Sequence, residues 1–292
     1  MNNKIRNGFT LLELSIVILV IAGMVVAITS SKEVLKKSRL ANARNLTQQS
    51  IVNNLSDDLI AWFETSLESS FLADEQKNDG FNITKWFDNN KNVNQKNIAT
   101  SPTTVANQPT YISRAFYDAI PGVRFDGADY MDFNGSGLIN SAYTIFVVEQ
   151  RTSNKTENYF IGGNASIKNQ NLHIGYRSNN TITQAHYLND LDINVASYTS
   201  PTPAIHTFLY NNLIGKKYNI SSNYVASGSS NSSANLQPLT SYNNPRIANY
   251  SHTNSFYIGD LAEIIIFKRS LKTEEVNAIR NYLGSKYGIP LS

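Results

Sequence analysis

Gly8-Phe9-Thr10-Leu11-Leu12-Glu13-Leu14-Ser15-Ile16-Val17-Ile18-Leu19-Val20-Ile21-Ala22-Gly23-Met24-Val25-Val26-Ala27-Ile28 decides how the rest of this chain is placed. Phe9 to Ile28 is 20 residues, and Glu13 is the only charge among them. At 1.5 Å per residue, a helix of that length covers about 30 Å, one hydrocarbon core. Lys4 and Arg6 lie just before it, which holds the N-terminus in the cytoplasm and exports everything that follows. Glu13 is the anomaly. A carboxylate in a spanning helix costs roughly 2.5–3.5 kcal/mol at the bilayer centre and less near the interface, so it calls for a partner.

A short basic leader ending in Gly8, then Phe9-Thr10-Leu11-Leu12-Glu13, resembles the class III signal peptide of type IV pilins and pseudopilins. The resemblance implies cleavage after Gly8 by a prepilin peptidase and N-methylation of the new N-terminus at Phe9. A free α-amine there has a pKa of about 7.7–8 and can pair with Glu13 of a neighbouring subunit. Two other readings compete. An ordinary secretory signal has an apolar core of about 7–15 residues and a small-residue cleavage site, which would fall near Ala27 or Ser30. A plain single-span anchor needs neither Gly8 nor Glu13.

The segment after the span has no Gly or Pro through Leu55, and Leu35, Leu40, Ala43, Leu46, Ile51 and Leu55 form an apolar stripe. One helix is therefore expected over 9–56, with 9–28 in the membrane and the rest exported. Lys32, Lys36, Lys37, Arg39 and Arg44 cluster on its exported half and read as a solvated or lipid head-group face.

From residue 57 the texture changes to short apolar runs separated by Asn, Ser and Gly clusters, the pattern of many short strands. The expected strands are Val123–Phe125, Tyr143–Gln150, Tyr159–Ile161, Leu172–Tyr176, Ile182–Tyr187, Ile205–Tyr210, Phe256–Ile258 and Ala262–Phe267. Asn89–Gln108 and Ala226–Asn235 read as long loops, a kind that is often functional. Near the end, Thr273 caps a helix with Glu274 and Glu275 in its first turn. Val276, Ile279, Tyr282 and Leu283 form its apolar face, and Gly288 and Pro290 stop it.

Several blocks in this region resemble concanavalin A-like, laminin-G-like domains. They are Trp86-Phe87-Asp88, Val123-Arg124-Phe125-Asp126-Gly127-Ala128-Asp129-Tyr130-Met131, Tyr143–Val148, Tyr257–Phe267 and the terminal helix ending Tyr282–Ile289. Asp88-Asn89-Asn90 departs from that family's Ser-Gly turn. The resemblance implies a two-sheet jelly roll over 57–292 that recognises a glycan or another surface, and often a rim calcium ion. Asp126, Asp129 and Asp260 are the candidate calcium ligands; no other cofactor is expected. The fold expected for the whole chain is a leader (1–8), a long N-terminal α-helix with a transmembrane half and an exported half (9–56), and a mainly-β concanavalin A-like sandwich with a short C-terminal helix.

Composition narrows the chemistry. There is no cysteine, so the exported part has no disulfide, thiolate metal site, Cys nucleophile or lipoprotein anchor. Major pilins that close a C-terminal loop with a disulfide differ from this chain. Net charge is +3 and no basic stripe carries interleaved aromatics, which argues against nucleic-acid binding. The paired-carboxylate signature E-x-D-x-x-E, the G-x-S-x-G elbow and the P-loop are all missing. His173, His186, His206 and His252 sit at unrelated spacings and read as strand-face residues; Trp62 and Trp86 read as packing residues. Tyr198, Tyr242 and Tyr250 lie in segments rich in Asn and Ser, a composition suited to polar recognition and equally to a soluble loop.

The expected function is therefore non-enzymatic: a minor pilin-like subunit of a type IV pilus or related filament. Its partners would be other pilin subunits, the prepilin peptidase and the inner membrane, with a glycan or surface receptor bound by the head. The alternative is a structural pseudopilin of a type II secretion system with no ligand of its own. Localisation is the bacterial inner membrane before assembly, then the cell surface, or the periplasm for a pseudopilin.

Overall fold

The computed structural model describes residues 11–92, 94, 96–221 and 236–291. Gly8, Phe9 and the expected loop Ala226–Asn235 lie outside the described residues. The chain forms a long N-terminal helix, an antiparallel β-sandwich and a short C-terminal helix.

Helix α1 spans Leu11–Gln49 and is shorter at its C-terminal end than the expected 9–56. Ser50 ends it: the residue turns extended (φ −61°, ψ 143°), and its hydroxyl accepts from Val52 N at 3.2 Å, capping a new 3-10 helix over Ile51–Asp58.

The first sheet runs β13 (Gly215–Ser221), β12 (Ala204–Asn211), β7 (Tyr143–Arg151), β17 (Ile258–Phe267), β5 (Ile120–Asp126), β4 (Thr110–Phe116). β1 (Leu59–Glu64) also pairs with β17, beside its 263–267 half, while β5 takes the 258–261 half. The second sheet runs β11 (Asp190–Asn194), β10 (Thr181–Ala185), β9 (His173–Ser178), β8 (Asn158–Gly162), β14 (Arg246–Ile247), β6 (Met131–Asp132), β3 (Ile98–Thr100), β2 (Lys85–Phe87). A small hairpin pairs β15 (Asn249–Tyr250) with β16 (Ser255–Phe256).

Two hydrophobic layers explain the unbroken apolar runs in β7 and β17. Along β7, Tyr143, Ile145 and Val147 point between the sheets. Phe146 and Val148 point the other way, into a second core with Trp62, Ile265, Ile279, Leu283 and Ala43. A strand buried on both faces loses the polar half of its alternation. The second core is closed by α2 (Thr273–Tyr287) and by the last turns of α1, where Ala43 and Thr47 are buried, with Ser50 buried just after them. The packed head thus begins inside α1, and a boundary at residue 57 cuts through it.

The eight expected strand positions all lie in or against observed strands, with shifted ends. Ile182–Tyr187 ends at Ala185, because Tyr187 and Leu188 form the hairpin turn at φ 42° and 56°. Asn89–Gln108 is not all loop, since β3 lies within it. Among the strands outside the expected set, β4, β11 and β13 are sheet-edge strands, and β1 pairs with β17 and is buried on both faces. The cap of α2 is Lys272, one residue before Thr273; Glu275 reaches back to Lys272 N at 2.8 Å, and Gly288 closes the helix in the left-handed region at φ 60°.

Candidate functional site

The two halves of α1 behave differently. From Leu11 to Ile28 the described side chains are exposed, Leu11 at 84% and Leu19 at 75%. Among the described residues, α1 is the helix long and apolar enough to cross a membrane. Ser15 and Thr29 return their hydroxyls to carbonyls Leu11 O and Val25 O one turn earlier, which lets polar side chains sit on an apolar helix.

From Glu33 onward α1 is tied to the head. Arg114 grips Glu33 with both terminal nitrogens (3.1 and 2.7 Å), Lys36 meets Asp118 at 2.7 Å, and Arg39 donates to Tyr117 O at 3.3 Å. Arg44 reaches Ser66 O and Glu68 at 2.8 and 3.0 Å. Lys36, Arg39 and Arg44 therefore hold the β4–β5 hairpin and the β1 end instead of forming a purely solvated face. Next to them is a fully buried charge cluster. Lys286 Nζ lies 2.8 Å from Glu64 and 2.9 Å from Glu263, with Tyr282, Tyr287 and the Trp62 indole N–H completing the hydrogen bonds. Burial opposes charge on Glu64, but Lys286 and the Ser66 and Ser70 hydroxyls outweigh it and hold the carboxyl below its ordinary range.

Helices α1 and α2 cover the outer face of the seven-stranded sheet, while no described helix covers that of the eight-stranded sheet. That open face carries a chain of rings. His173 stacks on Tyr250 at 4.3 Å, Tyr159 meets both edge-on, and His252 links Tyr250 (5.8 Å) to Tyr187 (5.1 Å). Tyr187 and His252 are half-buried, with His173 and Tyr250 sealed beneath. Burial pushes His173 down to about 3, so it is neutral at physiological pH, and its Nδ1 meets no hydrogen-bond partner. Beside the rings, Arg177 lies between Asp190 (2.7 Å) and Asp192 (3.2 Å).

A second polar region sits where β2 and β3 meet β1. The Asp88 carboxylate accepts from Trp62 N (2.8 Å), Asn90 N (2.8 Å) and Asn97 N (2.9 Å), so the unusual Asp88-Asn89-Asn90 turn is built on side-chain-to-backbone bonds. A cleft of about 430 Å³ is lined by Asp88, Asn89, Asn90, Lys91, Lys96 and Asn97. An adjoining cleft of about 300 Å³ shares Lys96 and Asn97.

The calcium candidates do not meet as a set. Asp126 and Asp129 shape one turn around Gly127 (φ 102°), accepting from Ala128 N and Asp126 N at 2.9 Å each. Burial, then the neighbouring Asp126 charge, raises Asp129 to about 6. Asp260 is committed to Arg124 (2.8 and 3.0 Å), and Asp132 to Arg246. Among the described residues no group of three His, Cys, Asp or Glu side chains could hold a metal ion.

The histidines are on strands or turns, and one sits in an unforeseen interior network. Glu149 accepts from Tyr176 (2.9 Å), pairs with His206 Nε2 (2.9 Å) and accepts from Tyr257 (2.5 Å), all fully buried between the sheets. Trp62 and Trp86 are packing residues, fully buried, with their N–H groups on Glu263 and Glu64 O. Tyr242 is likewise buried, on Gly162 O. Tyr198 lies beside Arg151, 5.4 Å from its guanidinium.

No protein-family model matches the chain, and no curated protein matches it. Among solved structures, a GH54 α-L-arabinofuranosidase soaked with a cyclic sulfate inhibitor superposes over 82% of this chain and 65% of its own, at TM-score 0.55 and 13% identity. A Trypanosoma rangeli sialidase in complex with 2,3-difluorosialic acid matches 78% of this chain and 33% of its own (TM-score 0.48, 11% identity). A Ruminococcus gnavus IT-sialidase CBM40 bound to α2,3-sialyllactose matches 54% of this chain and 95% of its own (TM-score 0.42, 13% identity). The chain thus spans a third of the sialidase and under two thirds of the arabinofuranosidase, and at these identities the likeness is one of fold alone.

Proposed function

We propose that this chain is a pilin-like subunit whose spine enters the inner membrane and then a filament, and whose head is a concanavalin A-like jelly roll that recognises a glycan without acting as an enzyme. The observation that carries the first half is the asymmetry of α1. Leu11 to Ile28 exposes apolar side chains that only lipid or other apolar helices can cover, while Glu33 to Gln49 is fixed to the head. Cleavage after Gly8 would free an amine at Phe9, and Glu13, in the first turn of α1, would pair with that amine on a neighbouring subunit. The head's open face supports the second half. Partly exposed Tyr187 and His252, backed by Tyr250 and flanked by Arg177 and Asp192, offer ring faces for sugar C–H groups and fixed polar groups for hydroxyls.

The test is a glycan array probed with residues 30–292, which retain the part of α1 that the head buries. Saturable, competable binding supports the recognition role, and an EDTA arm reports on calcium. Silence from a well-folded protein removes the glycan and leaves the structural pseudopilin, whose partners are its neighbours in the filament.

A further inference from the structure

Among the described residues outside α1, eleven large apolar side chains are exposed, and five of them gather at one end of the sandwich. Ile167 comes from the β8–β9 connection, Leu188 from the β10–β11 turn, Leu213 and Ile214 from the β12–β13 turn, and Leu236 from the segment leading to β14. Leu213 is 81% exposed and Leu188 66%. Hydrogen bonds tie these segments together. Asn169 N donates to His186 O at 2.7 Å, Thr240 N to Asn169 O at 2.7 Å, and Tyr210 Oη to Leu236 O at 2.7 Å; His186 also meets Gln237 O at 3.1 Å.

Exposed aliphatic residues scattered singly need no explanation, but five on neighbouring loop tips do. The β10–β11 turn adds to the case. Its two central residues, Tyr187 and Leu188, hold positive φ, a region that Asn-Gly occupies without strain and that a Tyr-Leu pair enters at a cost.

Charge selects the occupant. Residues 163–171, 186–189, 211–215 and 236–241 contain no Asp or Glu. Lys168 is exposed and Lys217 half-buried beside them, and the adjacent acid, Asp190, is paired with Arg177. Aliphatic tips offer no hydrogen bonds to a sugar, and spikes on separate loops are not a groove for a peptide. They suit a surface that is apolar just beneath an anionic layer. Helix α1 is held by the β4–β5 hairpin at one edge of the seven-stranded sheet, and β13 is the opposite edge.

We propose that this end of the head docks on a second, anionic lipid surface: Ile167, Leu188, Leu213, Ile214 and Leu236 enter the boundary between headgroups and acyl chains, with Lys168 and Lys217 against the phosphates. The proposal stands independently of the glycan reading.

The chain has no cysteine, so Leu188→Cys gives a single labelling position for a polarity-sensitive fluorophore, with Val105→Cys as an exposed control elsewhere. The full chain, held by α1 in phosphatidylcholine nanodiscs, is titrated with vesicles containing about 30% phosphatidylserine. The label at 188 should shift to the blue and brighten, and the label at 105 should not. Leu213→Asp with Ile214→Asp should weaken vesicle capture at least about tenfold, with an unchanged melting temperature. Lys168→Glu with Lys217→Glu should weaken capture by anionic vesicles. An unmoved label at 188, undiminished capture by the Asp variant, equal capture by pure phosphatidylcholine vesicles, or burial of position 188 only by a protein partner would each overturn the proposal.

Discussion

Lys286 Nζ lies 2.8 Å from Glu64 Oε2, with neither side chain exposed to solvent, and so joins the C-terminal helix to the first strand across 222 residues of sequence. Glu263 on β17 supplies the second carboxylate at 2.9 Å, and Tyr282, one turn away from Lys286, touches Thr47 of α1 at 3.2 Å. Spine, sheet and terminal helix therefore meet at one desolvated ion cluster.

Removing the cation should be costly. Lys286→Met leaves two buried carboxylates facing each other and should lower unfolding free energy by about 3–5 kcal/mol. Chemical denaturation of residues 30–292 measures it. A variant within 1 kcal/mol of the parent, an amount typical of an exposed pair, would show the cluster to be solvated.

The same cluster sets an acid and an alkaline limit. The Glu64 carboxyl is held below its ordinary 4.5, so its contribution is full above that value and lost as pH falls through the lower, folded one. For Lys286 burial acts downward, but Glu263 and Glu64 outweigh it and raise the amine above 10.5; its contribution is present below that pH and lost as pH rises through the folded value. Lys286→Met should flatten both limbs of a melting-temperature-against-pH curve.

Lys216 should show the opposite behaviour. It points between the sheets with no hydrogen-bond partner, 5.7 Å from the Tyr210 ring, and burial pushes its amine down to about 7. The unfolded chain then binds more protons than the folded one between pH 7 and the ordinary 10.5, so stability from this residue rises with pH across that window. Lys216→Met should stabilise the head by on the order of 2 kcal/mol at pH 7, with the gain fading towards pH 10. Thermal melts at several pH values check the trend, and a gain independent of pH would contradict it.

Gly175 should resist substitution. Its φ of 145° is open mainly to glycine, and an added Cβ would sit 2.5 Å from Tyr159 Cα. Gly175→Ala should cost about 3 kcal/mol and disturb the Tyr159–His173–Tyr250 stack. Equilibrium unfolding and near-ultraviolet circular dichroism would report it.

On the open face, Tyr187→Ala and His252→Ala should abolish any glycan signal while leaving the melting temperature within a few degrees, because both side chains are half-buried. Binding that survives both changes would move the site elsewhere, for example to the Asn-rich cleft around Asn97. At the other end of the chain, Gly8→Leu should leave a precursor heavier by the eight leader residues, visible by intact mass. Glu13→Gln should leave processing intact and reduce filament assembly. Normal maturation of the Gly8 variant would remove the pilin reading.

The sequence alone determined the features whose cause is local. Twenty residues with one charge suffice for a spanning length, and alternation with turn residues located the central strands. A first turn of Glu274 and Glu275 and a stop at Gly288 marked α2 to within one residue. Tertiary structure decided the rest. Ser50 ends α1 where its hydroxyl caps the next helix and Val52 enters the core, and a stripe of leucines carries no record of that. The basic residues of α1 looked solvated because their partners, Asp118, Glu68 and the Tyr117 carbonyl, lie tens of residues away. The ring chain on the open face and the aliphatic tips at one end are also products of strand order, which brings residues 159, 173 and 250, and residues 167, 188, 213 and 236, side by side. Burial, pairing and exposure are properties of that arrangement, because the energy of a charge or a methyl group depends on what surrounds it in space.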